Sequence, residues 1–158
     1  MKNGFIQYVA TDHAPHTLDE KFKNFGGEEN YLKLRKENLA ECQRLACVNA
    51  VSGTPQLDTY ALIVSWLMRE HGFSAGCIAE VTAEAPGEFI NPYLSHEYGN
   101  GFGKIAPGYL AAFTVLDVRA SQCFMRSMVR SKVAWSPFEG IEFPGKVVNV
   151  FTKGKWWK

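Results

Sequence analysis

An aspartate and two histidines lie within five residues of one another near the start of the chain. Asp12, His13 and His16 directly follow a largely apolar run, residues 5–10, that is rich in aromatic and β-branched side chains. Such a run predicts a buried strand of a parallel sheet, and side chains at the carboxyl end of that kind of strand point into the crevice above the sheet. The sequence therefore predicts a candidate catalytic loop at residues 11–16.

The chemistry open to this loop is metal-assisted hydrolysis. The Asp12 carboxylate could bind a divalent metal ion at about 2.0–2.2 Å and accept a proton from a water that the metal activates. His16 could donate a hydrogen bond to an anionic substrate, whereas His13 is expected to face another side. A hydrolytic zinc site normally needs three protein ligands, and the other histidines, His71 and His96, fall at a predicted helix end and in a loop. An ordinary structural role for the loop residues therefore stays open at this point.

Composition and net charge exclude several classes of protein and of binding partner. The chain has 158 residues, of which 46% are hydrophobic and 21% charged, as is typical of a globular domain. Its 17 basic and 16 acidic residues give a formal net charge of +1, so no electrostatic footprint for nucleic acid or an anionic membrane is expected. No apolar run reaches the roughly 18 residues of a membrane-spanning helix, and no signal-peptide pattern is recognised. We expect a cytoplasmic protein with a small-molecule partner, bound to neither nucleic acid nor membrane.

The remaining pattern predicts helices first and strands later. Helices are expected over residues 28–46, from a Thr54-Pro55 start to a Gly72 end, and over residues 74–90 with a break near Pro86. Strands are expected at Phe113–Leu116, Lys146–Phe151 and Lys155–Trp157. The sequence thus predicts a mixed α/β part, residues 1–95, followed by a β-rich part, residues 96–158.

Four motifs follow one another along the chain in the order of a known enzyme family. They are Thr-Asp-His-Ala-Pro-His-Thr-Leu-Asp-Glu-Lys at residues 11–21, Ala-Val-Ser-Gly-Thr-Pro-Gln-Leu-Asp-Thr at 50–59, Gly-Lys-Ile-Ala-Pro-Gly-Tyr-Leu-Ala at 103–111 and Ser-Pro-Phe-Glu-Gly at 136–140. Together they resemble dihydroorotase, a zinc amidohydrolase of pyrimidine biosynthesis. The resemblance covers nearly the whole chain.

The resemblance implies that the chain corresponds to the carboxyl-terminal portion of such an enzyme. In that α/β fold, residues 5–10 would be the last strand of a (β/α)8 amidohydrolase barrel and residues 28–90 its closing helices. Residues 96–158 would form part of a small β-sandwich subdomain. The H-x-H pair and the bridging lysine of the family's barrel have no counterpart in this chain.

The resemblance also implies roles for single residues. Asp12 would be the catalytic general base and a metal ligand in the reversible ring opening of dihydroorotate to N-carbamoyl-aspartate. His16 would bind the substrate carboxylate, Ser52 and Gly53 would contact the substrate through their backbone, and His13 would lie behind these groups. One or two zinc ions are implied, with their other ligands outside this chain.

Two alternatives stay open on the sequence alone. The chain could be a non-catalytic dihydroorotase-like module that assembles with a partner such as aspartate carbamoyltransferase, although the presence of Asp12 and His16 argues against a degenerate site. It could instead belong to a related cyclic-amide hydrolase of the dihydropyrimidinase or allantoinase type. Those enzymes usually lack the counterpart of His16, which is why dihydroorotase is preferred. A homo-oligomer is also expected.

Overall fold

The computed structural model describes residues 5–49, 51–152 and 154–157. The chain divides into two units, of which the first comprises residues 1–10, 59–123 and 141–158 and the second comprises residues 11–58 and 124–140. No helix in the described part of the chain combines the length and the apolar character that crossing a bilayer requires.

The elements follow one another in the predicted order of helices and then strands. The α-helices are α1 (Leu18–Phe22), α2 (Glu28–Glu37), α3 (Leu39–Asn49), α4 (Tyr60–His71), α5 (Ala75–Ala79) and α6 (Ala85–Ile90). The strands are β1 (Phe113–Asp117), β2 (Gln122–Cys123), β3 (Glu142–Phe143), β4 (Lys146–Thr152) and β5 (Lys155–Trp157). A 3₁₀ turn, Leu57–Thr59, precedes α4, and a π-helical turn, Glu80–Glu84, joins α5 to α6.

Helix α4 and a small antiparallel sheet form the core of the first unit. The sheet has the strand order β1-β4-β5, with Phe113 opposite Phe151 and Val150 opposite Trp157. Its three strands confirm the predicted ones, whereas the short β2–β3 pair was not predicted. The buried apolar side chains of this unit are Leu62, Val64, Ile78, Val81 and Phe143.

One predicted helix start and one predicted helix break in the first unit are wrong. The helix expected from Thr54 begins at Tyr60, because Thr54 instead forms a parallel bridge with His13 in the second unit. The expected break near Pro86 does not occur, because the π-helical turn Glu80–Glu84 continues directly into α6 with Pro86 in the first turn of α6. The predicted helix end at Gly72 is confirmed, with a left-handed φ of 63°.

The second unit contains two helices where the sequence predicted one. Asn38 leaves the helical conformation with a φ of −148°, and its side-chain oxygen accepts a hydrogen bond from the Glu41 N–H at 3.1 Å. That side chain therefore ends α2 and begins α3. Cys42 is buried, but Leu32 and Leu39 are 51% and 54% exposed.

The strand expected at residues 5–10 is wrong. This segment has no regular secondary structure, and its side chains Phe5, Ile6 and Tyr8 are 91%, 52% and 48% exposed. Within the first unit, the Val9 N–H donates to the Val81 carbonyl at 3.0 Å. A parallel strand needs neighbouring strands on which to form its ladder, and the described residues provide none beside this segment.

Candidate active site

The predicted catalytic loop lies beside residues 51–57 in the second unit. His13 and Thr54 form a parallel bridge, and the Ala14 N–H donates to the Thr54 carbonyl at 3.2 Å. Asp12 adopts a φ of +47°, which few residues other than glycine tolerate, and its side chain is exposed. The bridge thus holds the loop in a conformation that presents the Asp12 carboxylate to solvent.

His13 binds the backbone of the neighbouring segment. Its Nδ1 atom accepts hydrogen bonds from the N–H groups of Gln56, at 3.0 Å, and Leu57, at 3.3 Å. Residues 13 and 56 are 43 positions apart, so no local sequence pattern could have indicated this contact. His13 therefore fixes the position of residues 56–57 against the loop.

His16 is held by helix α1 and by Trp135. Its Nδ1 atom lies 3.4 Å from Glu20 Oε2, and its carbonyl oxygen accepts a hydrogen bond from Trp135 Nε1 at 2.7 Å. Glu20 also accepts the Thr17 N–H at 2.8 Å and donates its own N–H to Thr17 Oγ1 at 3.2 Å, which is a capping box for α1. The hydrogen bonds from Thr17 and the neighbouring His16 lower the pKa of Glu20. The His16 side chain keeps 36% of its surface exposed.

Gly53, which follows Ser52, packs directly on the loop. A Cβ atom on Gly53 would lie 2.6 Å from Ala14 Cβ, and Gly53 has a left-handed φ of +89°. Lys21 Nζ donates hydrogen bonds to the carbonyl oxygens of Val51 and Gly53, on either side of the exposed Ser52. Burial lowers the pKa of Lys21.

A third segment, residues 124–140, completes the surroundings of the loop. The two carboxylate oxygens of Asp58 accept hydrogen bonds from the N–H groups of Arg130 and Ser131, each at 3.1 Å. The Ser-Pro-Phe-Glu-Gly motif forms a turn in which Glu139 accepts the Ser136 N–H at 3.0 Å. Asp58 thus holds this segment in place.

The donor atoms of the described residues do not make up a zinc site. No group of three or more histidine, cysteine, aspartate or glutamate side chains among residues 5–49, 51–152 and 154–157 could share a metal ion. His13 Nδ1 accepts backbone N–H groups and His16 Nδ1 faces Glu20, while the Asp12 carboxylate is exposed. His71 is exposed at the end of α4, with its ring 4.3 Å from that of Trp66. A zinc ion bound through Asp12 would need ligands from outside this set.

A cavity of about 640 Å³ lies elsewhere, in the first unit. Its lining is mostly apolar and includes Val64, Met68, Ile78, Phe113 and Leu116. The one lysine at its border, Lys104, forms ion pairs with Glu84 and Glu88 at 3.0 and 3.3 Å. The cavity therefore offers none of the acid–base groups that the predicted loop carries.

Sequence comparisons confirm the resemblance to dihydroorotases. The dihydroorotase of Clostridium acetobutylicum is 30% identical over 157 residues, and that of Methanothermobacter thermautotrophicus is 25% identical over 150 residues. These alignments cover 98% and 95% of the chain but only 30% and 28% of the relatives, so the chain spans less than a third of their length. No family model matches the chain.

Solved structures of the same fold come from hydantoinases. The L-hydantoinase (dihydropyrimidinase) from Arthrobacter aurescens matches 98% of the chain and 29% of its own length, with a TM-score of 0.70 and 21% identity. The dihydropyrimidinase from Brevibacillus agri gives a TM-score of 0.66 at 19% identity. The chain therefore has the fold of part of these hydantoinase structures.

Proposed function

We propose that the chain is the carboxyl-terminal part of a zinc-dependent dihydroorotase, which opens the ring of dihydroorotate reversibly to N-carbamoyl-aspartate in pyrimidine biosynthesis. The similarity of nearly the whole chain to proteins named dihydroorotase supports this proposal. Because the chain spans about 30% of these relatives, the activity is proposed for a protein that contains these residues together with others.

The observation that carries the proposal is the joint packing of the candidate residues. The loop with Asp12 and His16 is bound to the segment with Ser52 and Gly53 by the Ala14–Thr54 hydrogen bond and the His13 contacts. These residues are far apart in sequence, yet all belong to the second unit. Their positions favour a shared role in substrate binding over unrelated surface roles.

Each candidate residue has a proposed role. Asp12 is the general base and contributes one carboxylate to a metal site whose other ligands lie outside the described residues. Glu20 engages Nδ1 of His16, so Nε2 is the ring atom proposed to face the substrate carboxylate, to which it donates when His16 is an imidazolium with a proton on each nitrogen. The backbone of Ser52 and Gly53 is proposed to contact the substrate. His13 is proposed to hold this segment without contacting the substrate itself.

The test uses the natural reading frame that encodes these residues, beside the 158-residue chain alone. We expect the longer protein to bind zinc and hydrolyse dihydroorotate, and Asp12→Asn to lower kcat at least about 100-fold, since removing a general base typically costs 10²–10⁴-fold. An unchanged melting temperature would show that Asp12→Asn is folded, and its zinc content by mass spectrometry would show whether the change removes the metal.

Four outcomes would contradict parts of the proposal. Turnover by the 158-residue chain alone would show that its donor set is sufficient. Undiminished activity of Asp12→Asn would remove the role of Asp12. A preference for hydantoins over dihydroorotate would favour the related cyclic-amide hydrolases, while a folded, inactive full protein that binds aspartate carbamoyltransferase would favour the non-catalytic module. Size-exclusion chromatography with light scattering would test the expected homo-oligomer.

A further inference from the structure

The short helix α1 contacts both groups that are proposed to bind the substrate. Its N-cap residue Thr17 and its third residue Glu20 form the capping box, and Glu20 also engages His16. The next residue, Lys21, extends to the carbonyl oxygens of Val51 and Gly53. Adjacent side chains of one helical turn therefore hold His16 and the Ser52–Gly53 backbone.

Lys21 is suited to fixing this backbone. An ammonium group has three donors, and two of them engage the carbonyls on either side of Ser52. Hydrogen bonds from a charged donor are about twice as strong as neutral ones, and partial burial of the lysine makes the loss of its acceptors costly. With both carbonyls held, the peptide groups around Ser52 keep one orientation.

The same segment also contacts the catalytic loop. Gly53 approaches Ala14 so closely that a Cβ atom would lie 2.7 Å from the Ala14 carbonyl oxygen, and His13 accepts the N–H groups of Gln56 and Leu57 further along the segment. Residues 51–57 are therefore held between Lys21 and the catalytic loop.

We infer that Lys21 is a positioning residue that holds the Ser52–Gly53 backbone in the orientation that binds the substrate. The inference rests on the proposed function, since it assumes that this backbone contacts the substrate. Lys21 itself is not assigned to the reacting atoms. Its loss should therefore weaken binding of the substrate and the transition state equally, which raises KM and leaves kcat nearly unchanged.

The experiment compares Lys21→Met, Lys21→Arg and Lys23→Met in the full protein. Methionine keeps much of the length of the side chain but removes the donor, whereas arginine restores a cationic donor. Lys23 is exposed and directly follows α1, which makes Lys23→Met a matched control for loss of a nearby charge. We expect KM for dihydroorotate to rise about tenfold in Lys21→Met, with partial recovery in Lys21→Arg and no change in Lys23→Met.

Hydrogen exchange separates this inference from the proposed function. In Lys21→Met the amides of residues 51–54 should exchange at least about tenfold faster than in the unmodified protein, while α4 keeps its protection. If the full protein does not hydrolyse dihydroorotate, the proposed function fails and the exchange measurement alone decides whether Lys21 holds the segment. An unchanged exchange rate, an unchanged KM in an active enzyme, or a loss of kcat with KM intact would overturn the inference.

Discussion

At the scale of single residues, Gly53 has the most restricted surroundings in the candidate site. A side chain there would meet Ala14 Cβ at 2.6 Å and the Ala14 carbonyl oxygen at 2.7 Å, and the residue also adopts a φ of +89°. We expect Gly53→Ala to lower the free energy of unfolding by about 2–4 kcal/mol, because it adds a clash with backbone to a strained conformation. Urea denaturation of the full protein measures this change.

Gly140 supplies the matched control for Gly53. Its φ of +79° is similar, but a Cβ atom at this position would have no neighbouring atom within 4 Å, so Gly140→Ala adds backbone strain without a clash. We expect a loss of only about 1 kcal/mol for this variant. Equal losses in the two variants would show that the close approach of Gly53 to Ala14 contributes nothing to stability.

The sequence predicted which residues of the loop carry chemistry, but not how they are held. Asp12, His13 and His16 stand out because three ionisable groups follow an apolar run. The contact partners of His13 and Lys21 are backbone atoms 30 to 44 residues away, and any residue type supplies such atoms. Contacts of this kind leave no pattern in the side chains of the partner segment.

At the scale of elements, Asp58 joins the segment before α4 to residues 130–131. We expect Asp58→Ala to lower the free energy of unfolding by about 1–3 kcal/mol, because the N–H groups of Arg130 and Ser131 lose a charged acceptor. Asp58→Asn keeps one side-chain acceptor oxygen and should lose less. The measurement is again urea denaturation, with hydrogen exchange of residues 130–131 as a local readout. If Asp58→Ala and Asp58→Asn both had the same free energy of unfolding as the unmodified protein, this role of Asp58 would be contradicted.

The predicted elements failed where a polar side chain competes with the helix. Leucines on both sides of Asn38 continue a helical pattern, so the periodicity of residues 28–46 indicated one helix. The Asn38 side chain instead caps α3 through the Glu41 N–H, which requires Asn38 itself to leave the helix. In contrast, β1, β4 and β5 pair with one another and were predicted from their composition, whereas the two-residue strands β2 and β3 were not predicted.

At the scale of the whole molecule, residues 5–10 show why a strand could not be predicted correctly from local sequence alone. Their aromatic and β-branched composition is that of a strand, but a strand in a sheet depends on neighbours that the described residues do not supply. The composition therefore indicated that the segment favours a β-strand. The segment does not form one within the described part of the chain. Exposed side chains of such a segment favour association between copies.

This exposure leads to a prediction about the 158-residue chain in isolation. Ile6→Lys should slow its aggregation several-fold, since a charge within a short apolar segment opposes pairing between strands of different copies. Ile105→Lys is the control: Ile105 is 90% exposed, but Pro107 and Gly108 follow it and disfavour a strand. Light scattering at equal concentration and temperature measures both rates. If Ile105→Lys slowed aggregation as much as Ile6→Lys, total exposed apolar surface would determine association, and the strand character of residues 5–10 would have no separate effect.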